Sequence, residues 1–166
     1  MVHLRKILIT TDLSDHSLAA FEYGFSFGLL YAARVYVLYV ADNTPPLFTL
    51  YGLEGDLQLH AARVEEASAK RLEQFLAGHI EPEKKVVPVV RSGNAENEII
   101  RFAEEEGIEL IVMATHGWTG LKHILLGSVA EKVVRRSSIP VLTVKPRPMR
   151  EEIVKKEDVE TELHLR

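Results

Sequence analysis

The chain of 166 residues contains no cysteine. This absence excludes disulfides, thiolate metal sites and cysteine nucleophiles, and it fits a reducing compartment such as the cytoplasm. Long apolar runs are also missing, since none approaches the roughly 18 residues that a membrane-spanning helix needs. The opening segment MVHLRKILITTD turns polar too soon for a signal peptide. We therefore expect a soluble, cytoplasmic protein that makes no use of a membrane.

Positive charge is not in excess either, because the formal net charge is -4 at pH 7. Without a basic field, nothing in the composition would attract nucleic acid, and we expect no nucleic-acid partner. Hydrophobic residues make up 46% of the chain, which is ordinary for a globular domain with a core of its own. The composition thus predicts one globular domain.

Short apolar segments alternate with longer helical segments along the chain. The apolar segments are rich in Val and Ile, which favours buried strands; they read KILITTD, RVYVLYVAD, KKVVPVVRSG, IELIVMATH and VLTVK. Helical patterns occupy the intervals between them, at residues 14–33, 57–77, 94–107 and 128–138. This alternation predicts a doubly wound α/β fold, with a parallel sheet covered by helices on both faces.

Polar residues and glycines mark several helix ends. Ser14 and Asn94 are candidate N-caps, Gly107 follows a helix end, and Ser128 with Glu131 has the spacing of a capping box. The first helix is also expected to bury an apolar stripe, formed by Leu18, Phe21, Phe25 and Leu29.

The predicted strand order is 3-2-1-4-5. Pro88 interrupts the third strand, and proline cannot donate to a ladder, so this strand should lie at a sheet edge. The chain then reverses direction between strands 1 and 4. Ligands of open α/β sheets bind at the carboxyl ends of the strands beside such a reversal. Asp12 and the segment from Ala114 to Ser128 both fall at that point.

The segment ATHGWTGLKHILLGS, Ala114 to Ser128, combines glycines with the start of a helix. Helix N-termini carry unpaired N–H groups and a partial positive charge, and glycine lets backbone approach phosphate oxygens closely. The segment ends in Gly-Ser rather than Gly-Lys-Ser/Thr, so it is not a P-loop. No glycine follows the first strand, which excludes a dinucleotide-binding glycine fingerprint there. The local chemistry therefore indicates a phosphate cradle of another kind.

Two stretches, ITTDLSDHS and VMATHGWTGLKHILLGSVAEKVVRRSSIPVLTVK, resemble the universal stress protein family. Nucleotide-binding members of that family carry Gly, two residues, Gly, nine residues, Gly, and then Ser or Thr. The last two glycines correspond to Gly117 and Gly127, separated by Trp118 to Leu126, and Ser128 completes the pattern. Ala114 stands where the family has its first glycine. The resemblance covers about residues 4–146.

The resemblance implies that ATP, with Mg²⁺ or Mn²⁺, is the ligand. Asp12 would meet the ribose or a phosphate-bound metal, Val40 would recognise adenine through its backbone, and Thr10 and Met113 would lie beside the base. Ribose and phosphates would be wrapped by the residues of strand 4 and its loop, and the helix start would hold phosphates. Those positions are Ala114, Thr115, His116, Gly117, Thr119, Gly120, Gly127, Ser128 and Val129.

The family resemblance further implies a regulatory switch in the stress response that works as a homodimer. The apolar edge of strand 5 is the expected dimer surface. Two alternatives stay open: a nucleotide-free dimeric interaction module, which Ala114 would favour, and a slow ATPase. A phosphoacceptor receiver domain is disfavoured, because Arg91-Ser92 ends strand 3 where that fold needs an aspartate. We expect one domain over residues 1–146 and a charged C-terminal tail over residues 147–166.

Overall fold

A computed structural model describes residues 2–41, 54–81, 84–115 and 126–146. Strands and helices alternate through these segments. The strands are β1 (Lys6–Thr11), β2 (Arg34–Ala41), β3 (Val86–Ser92), β4 (Leu110–Ala114) and β5 (Val141–Val144). The helices are α1 (Leu18–Tyr31), α2 (Glu54–His79), α3 (Ala95–Glu105) and α4 (Ser128–Arg136).

The five strands form one parallel sheet in the order β3-β2-β1-β4-β5. The predicted fold class and strand order are therefore confirmed. Strand β1 lies at the centre, where Ile9 is in register with Val37 of β2 and with Val112 of β4. The predicted edge position of β3 is also confirmed, since β3 pairs only with β2 and Pro88 is exposed there.

Two apolar cores cover the two faces of the sheet. Alternate strand residues such as Ile7 and Val35 pack under α1 and α2, while their neighbours Leu8 and Tyr36 pack under α3 and α4. On the first face, Gly24 brings α1 close to the sheet, because a side chain at this position would collide with Ile9. Burial on both faces explains why the central strands are apolar throughout instead of alternating.

Three predicted helix features differ from the structure. A 3₁₀ turn, Asp15–Ser17, precedes α1, and the hydroxyl of Ser14 caps no backbone N–H of it. Helix α2 begins at Glu54, three residues before the predicted start at residue 57. Leu29 was assigned to the buried stripe of the first helix, yet it is 88% exposed because α1 turns this flank away from the sheet. No helix in the described segments is long and apolar enough to span a membrane.

Candidate functional site

A cavity of about 320 Å³ opens at the carboxyl edge of the sheet. It lies between β1, whose next helix α1 packs on one face of the sheet, and β4, whose next helix α4 packs on the other. Its volume falls in the range of small-molecule sites, roughly 300–1,000 Å³. Among the described residues, its lining consists of Thr10, Thr11, Asp12, Ser17, Leu38, Val40, Ala95, Ile99, Met113, Ala114, Thr115, Gly127, Ser128, Val129 and Ala130.

One part of the cavity wall is apolar and comes from three elements. Leu38 and Val40 share a face of β2, Met113 lies near the end of β4, and Ile99 is on α3. Leu38, Met113 and Ile99 belong to the buried core, and Val40 packs against that core. This wall is consequently fixed by packing and offers a flat aromatic group a dry, preformed contact surface.

Two buried hydroxyls of the wall, those of Thr11 and Ser17, are committed to each other. The Leu13 N–H donates to Thr11 Oγ1 over 2.9 Å, and Ser17 Oγ donates to the Ser14 carbonyl over 2.7 Å. Because the Ser17 hydroxyl already donates its proton to the Ser14 carbonyl, Thr11 must be the donor in the 2.7 Å hydrogen bond between the two hydroxyls. Neither hydroxyl retains a proton for a phosphate oxygen, so an anion has to find its donors elsewhere in the cavity.

Asp12, directly after β1, is held by the residue two positions later. Its Oδ1 accepts from Ser14 N at 3.1 Å and from Ser14 Oγ at 2.5 Å. Between them, Leu13 has a φ of 62°, a left-handed conformation that costs about 1–2 kcal/mol for a residue with a side chain. This aspartate turn explains why Ser14 caps no helix, since its hydroxyl serves Asp12 instead.

Ala114 ends β4 in ordinary extended conformation. It is in register with Val144 of β5, and its φ is not positive. Because glycine is required only where φ is positive or backbone contact is close, alanine adds no backbone strain at this position. The loss of the glycine is therefore tolerated by the strand.

The start of α4 forms the wall of the cavity next to the end of β4. The Gly127 N–H donates to the Thr115 carbonyl over 2.6 Å, and the Thr115 N–H donates to the Val144 carbonyl over 2.8 Å. These bonds fasten the helix start to both neighbouring strands. The residues of the first turn, Ser128 to Ala130, line the cavity, where the N–H groups of a helix start project along its axis.

The N-cap of α4 is Gly127, and no side chain within the described segments caps the helix. The capping-box prediction for Ser128 is therefore wrong by one residue, because the backbone bond of Gly127 to Thr115 begins the helix there. Ser128 is instead the first helical residue, and it is exposed. The helix start carries partial positive charge and faces the cavity, which suits it to an anion.

Comparison with known proteins identifies the family of this chain. Its sequence matches the universal stress protein family over residues 3–145. The chain belongs to the universal stress protein family. Universal stress protein MJ0531 of Methanocaldococcus jannaschii is 39% identical over 141 residues, which cover 85% of this chain and 82% of that protein.

Solved structures of this family share the fold. The solved structure of protein MJ0577 superposes on this chain with a TM-score of 0.69 at 35% identity. The universal stress protein of that name is also from Methanocaldococcus jannaschii. That comparison covers 88% of this chain and 99% of the other. Universal stress protein UspA of Lactobacillus plantarum has a TM-score of 0.63 at 24% identity over 87% of this chain and 99% of that one, a likeness of fold alone.

For this universal stress protein, every candidate residue within the described segments lines the cavity. They are Thr10, Asp12, Val40, Met113, Ala114, Thr115, Gly127, Ser128 and Val129. Their roles toward a nucleotide stay predictions. His116, Gly117, Thr119 and Gly120 lie outside the described residues. The sequence reasoning missed Thr11, Ser17, Leu38, Ala95, Ile99 and Ala130. Leu38 could have been found, because it lies two residues before Val40 on the same strand face.

Proposed function

We propose that this universal stress protein binds an adenine nucleotide, ATP with Mg²⁺ or Mn²⁺, in the cavity at the carboxyl edge of its sheet. The observation that carries the proposal is the meeting of two different surfaces in one cavity. One is the apolar wall of Leu38, Val40 and Met113, and the other is the uncapped start of α4. A nucleotide has the same two parts, an aromatic base and a chain of anionic phosphates.

The base would lie against the apolar wall, at the end of β2. Val40 is half-buried there, and it is the second-last residue of β2. Its side chain packs against the core, so its backbone polar groups are the ones left to distinguish adenine from other bases. Recognition through backbone would explain why an apolar residue serves at this position.

The phosphates would lie at the start of α4, because the buried hydroxyls of Thr11 and Ser17 have no proton to donate. Asp12 would face the ribose or a metal ion that arrives with the phosphates. Within the described segments, no group of three or more His, Asp or Glu residues could hold a metal ion by itself. A metal would therefore enter as part of the nucleotide complex, with the phosphates as its main ligands.

The nucleotide would act as a regulatory ligand. A ligand shifts a protein between two states only by binding them with different affinity. We propose that occupancy of the cavity changes the surface offered to partner proteins during stress. Hydrolysis would need a positioned water and an orienting base as well as a cradle, so slow ATPase activity is a separate question for assay.

We also propose a homodimer formed through β5, in the cytoplasm. Strand β5 is a sheet edge paired only with β4, and it reads VLTV. Edge strands with apolar residues pair readily with a second chain, and pairing with another β5 would cover both edges. Sedimentation equilibrium at micromolar concentration should show a dimer. A pure monomer would contradict this part of the proposal.

The proposed ligand is tested by measuring nucleotide in the purified protein and by calorimetric titration with Mg-ATP. We expect one nucleotide per chain at saturation. Gly127→Val should lose binding, because Gly127 lines the cavity at the phosphate end and valine adds bulk there. Gly127 has a φ of -63°, which valine also adopts, so the fold should survive.

The matched control is Gly78→Val on α2, where a side chain meets nothing within 4 Å and which does not line the cavity. This variant should bind like the wild type. If the wild type binds no nucleotide at millimolar Mg-ATP, the proposal falls and the nucleotide-free interaction module takes its place.

A further inference from the structure

One acidic side chain beside the cavity is buried and bridges two helices. Glu96, the second residue of α3, is 8% exposed. Its Oε1 accepts a hydrogen bond from Lys132 Nζ of α4 over 2.9 Å, in an ion pair that joins positions 36 residues apart. Within the described segments, the other ion pairs of α3 and α4 stay inside one helix or reach the sheet.

The bridge lies beside the cavity on both helices. Ala95 and Ile99 of α3 line the cavity on either side of Glu96 in sequence. On α4, Lys132 lies two residues after Ala130, the last residue of α4 that lines the cavity. A second bond supports the first, because Arg136 Nη1, one turn further along α4, donates to Asn97 Oδ1 over 2.8 Å.

The ion pair between Glu96 and Lys132 stabilises the charged form of Glu96. Hydrogen bonding to Lys132 holds the pKa of Glu96 below its ordinary value, although burial acts in the opposite direction. Glu96 is thus ionised at neutral pH. A buried carboxylate is costly unless it keeps its partner, so any movement of α4 away from α3 has to break this pair at a cost in free energy.

We propose that Glu96 and Lys132 are positioning residues, whose ion pair fixes the distance between the α3 wall and the α4 wall of the cavity and thereby sets its affinity for nucleotide. This inference rests on the proposed function and adds residues that touch no ligand themselves. The bridge keeps the start of α4 at a fixed distance from the apolar wall. The base and the phosphates of one nucleotide can then contact the two walls at the same time.

Electrostatics and positioning predict opposite results for Glu96→Met. Removing a negative charge near a phosphate site should tighten anion binding if charge alone matters. Loss of the bridge should instead weaken binding, because the start of α4 is held to α3 less firmly. Lys132 is 53% exposed and can turn to water, so this variant leaves no buried charge behind and should fold.

The experiment compares the affinities of wild type, Glu96→Met and the exchanged pair Glu96→Lys/Lys132→Glu for Mg-ATP and for adenosine. We expect about fivefold weaker binding of Mg-ATP to Glu96→Met, within the range found for residues that couple sites indirectly, and a smaller loss for adenosine, which has no phosphates to meet α4. The exchanged pair should recover most of that loss. Arg101→Met is the matched control, since Arg101 pairs with Glu98 and Glu105 of its own helix, and it should bind like the wild type.

Unchanged or tighter binding by Glu96→Met would overturn the inference. A readout free of nucleotide is amide hydrogen exchange at Glu131 and in the turn that follows it, since the Glu131 N–H donates to the Gly127 carbonyl over 2.9 Å. Exchange there should be faster in Glu96→Met and normal in Arg101→Met. If the wild type binds no nucleotide, the proposed function fails, and the exchange rates still decide whether the bridge positions α4. Equal exchange rates in all variants would refute that positioning role.

Discussion

The two helices beside the cavity begin in different ways. Helix α3 starts after Asn94, whose Oδ1 accepts a hydrogen bond from the Asn97 N–H over 3.2 Å. Its first turn also contains two acidic residues, Glu96 and Glu98, which suit the positive end of a helix. Helix α4 starts after Gly127, which has no side chain with which to cap it. Within the described segments, a side chain thus caps α3 and none caps α4.

The difference shows how a binding site can be made at small cost. Glycine at an N-cap loses only a few tenths of a kcal/mol relative to the best caps. The helix start is held instead by the backbone bond from Gly127 to Thr115, which needs no side chain. The start of α4 is therefore stable without a ligand. Its first-turn N–H groups can donate hydrogen bonds to a ligand in the cavity.

Giving α4 the kind of cap that α3 has should produce the largest change. In Gly127→Asp, the carboxylate would accept from the first-turn N–H groups and would repel phosphates. We expect the protein to be as stable as the wild type or slightly more so, and ATP binding to be at least about 100-fold weaker, since opposed like charges cost several kcal/mol. Calorimetry and thermal unfolding measure the two effects. Wild-type affinity in this variant would place the phosphates elsewhere.

Removing one donor from the start of α4 should have the next largest effect. Proline is tolerated at the first position of a helix, and Gly127 already has the extended backbone (ψ 154°) that must precede proline. Ser128→Pro should keep the fold and weaken ATP binding about tenfold, because one hydrogen bond to a charged group is worth roughly 1.5–3 kcal/mol.

Ser128→Ala is the matched control, since it removes the hydroxyl and keeps the N–H. Titration with ATP should give it an affinity between those of the wild type and Ser128→Pro. Equal losses in both variants would assign the contact to the hydroxyl and not to the helix start.

Removing the cap of α3 should affect stability and leave binding nearly unchanged. Asn94→Ala takes away the acceptor for Asn97, and a lost N-cap costs about 1 kcal/mol. Urea unfolding should show that loss, while the dissociation constant for ATP stays within about twofold of wild type, a change of less than 0.5 kcal/mol. A large loss of affinity with no loss of stability would mean that α3 also contacts the phosphates.

The smallest expected effect is a response of α3 to acid. The folded pKa of Glu96 is lowered, chiefly by hydrogen bonding to Lys132. A lowered folded pKa means that Glu96 stabilises the fold above its unfolded pKa, about 4.3, and that this contribution is lost as the pH falls through the folded value. The stability advantage of wild type over Glu96→Gln in urea should therefore be present at pH 7 and shrink toward pH 3. An advantage independent of pH would refute the linkage.

Much of the fold could be predicted because local and global signals agree. Pro88 placed β3 at the edge, and the alternation of strands with helices fixed the fold class. The cap of α3 was also predictable, because Asn94 is among the best N-cap residues and directly precedes a helical pattern. At the start of α4 two candidates are adjacent, and propensity favours Ser128 over Gly127. The choice depends on a backbone bond to Thr115, twelve residues earlier, which propensity does not contain.

Other parts of the site depend on contacts between distant residues. Glu96 and Lys132 each look like an ordinary surface charge in sequence, and only the packing of α3 on α4 buries one of them. The hydroxyls of Thr11 and Ser17 become a pair because the turn after β1 folds back on itself. Leu29 continues the helical apolar spacing, yet α1 is apolar on most sides, so spacing alone could not tell which flank is buried.

The proposed site depends on one contrast between the helices. The first-turn N–H groups of α4 donate hydrogen bonds to the phosphates, whereas the Asn97 N–H of α3 donates to Asn94. The most direct test is an amide NMR titration of the isotope-labelled protein with Mg-ATP and, separately, with adenosine. We expect the amides of Ser128, Val129 and Ala130 to shift with ATP far more than with adenosine, while the capped amide of Asn97 responds equally little to both. Equal shifts at α4 with both ligands, or larger ATP shifts at Asn97, would contradict it.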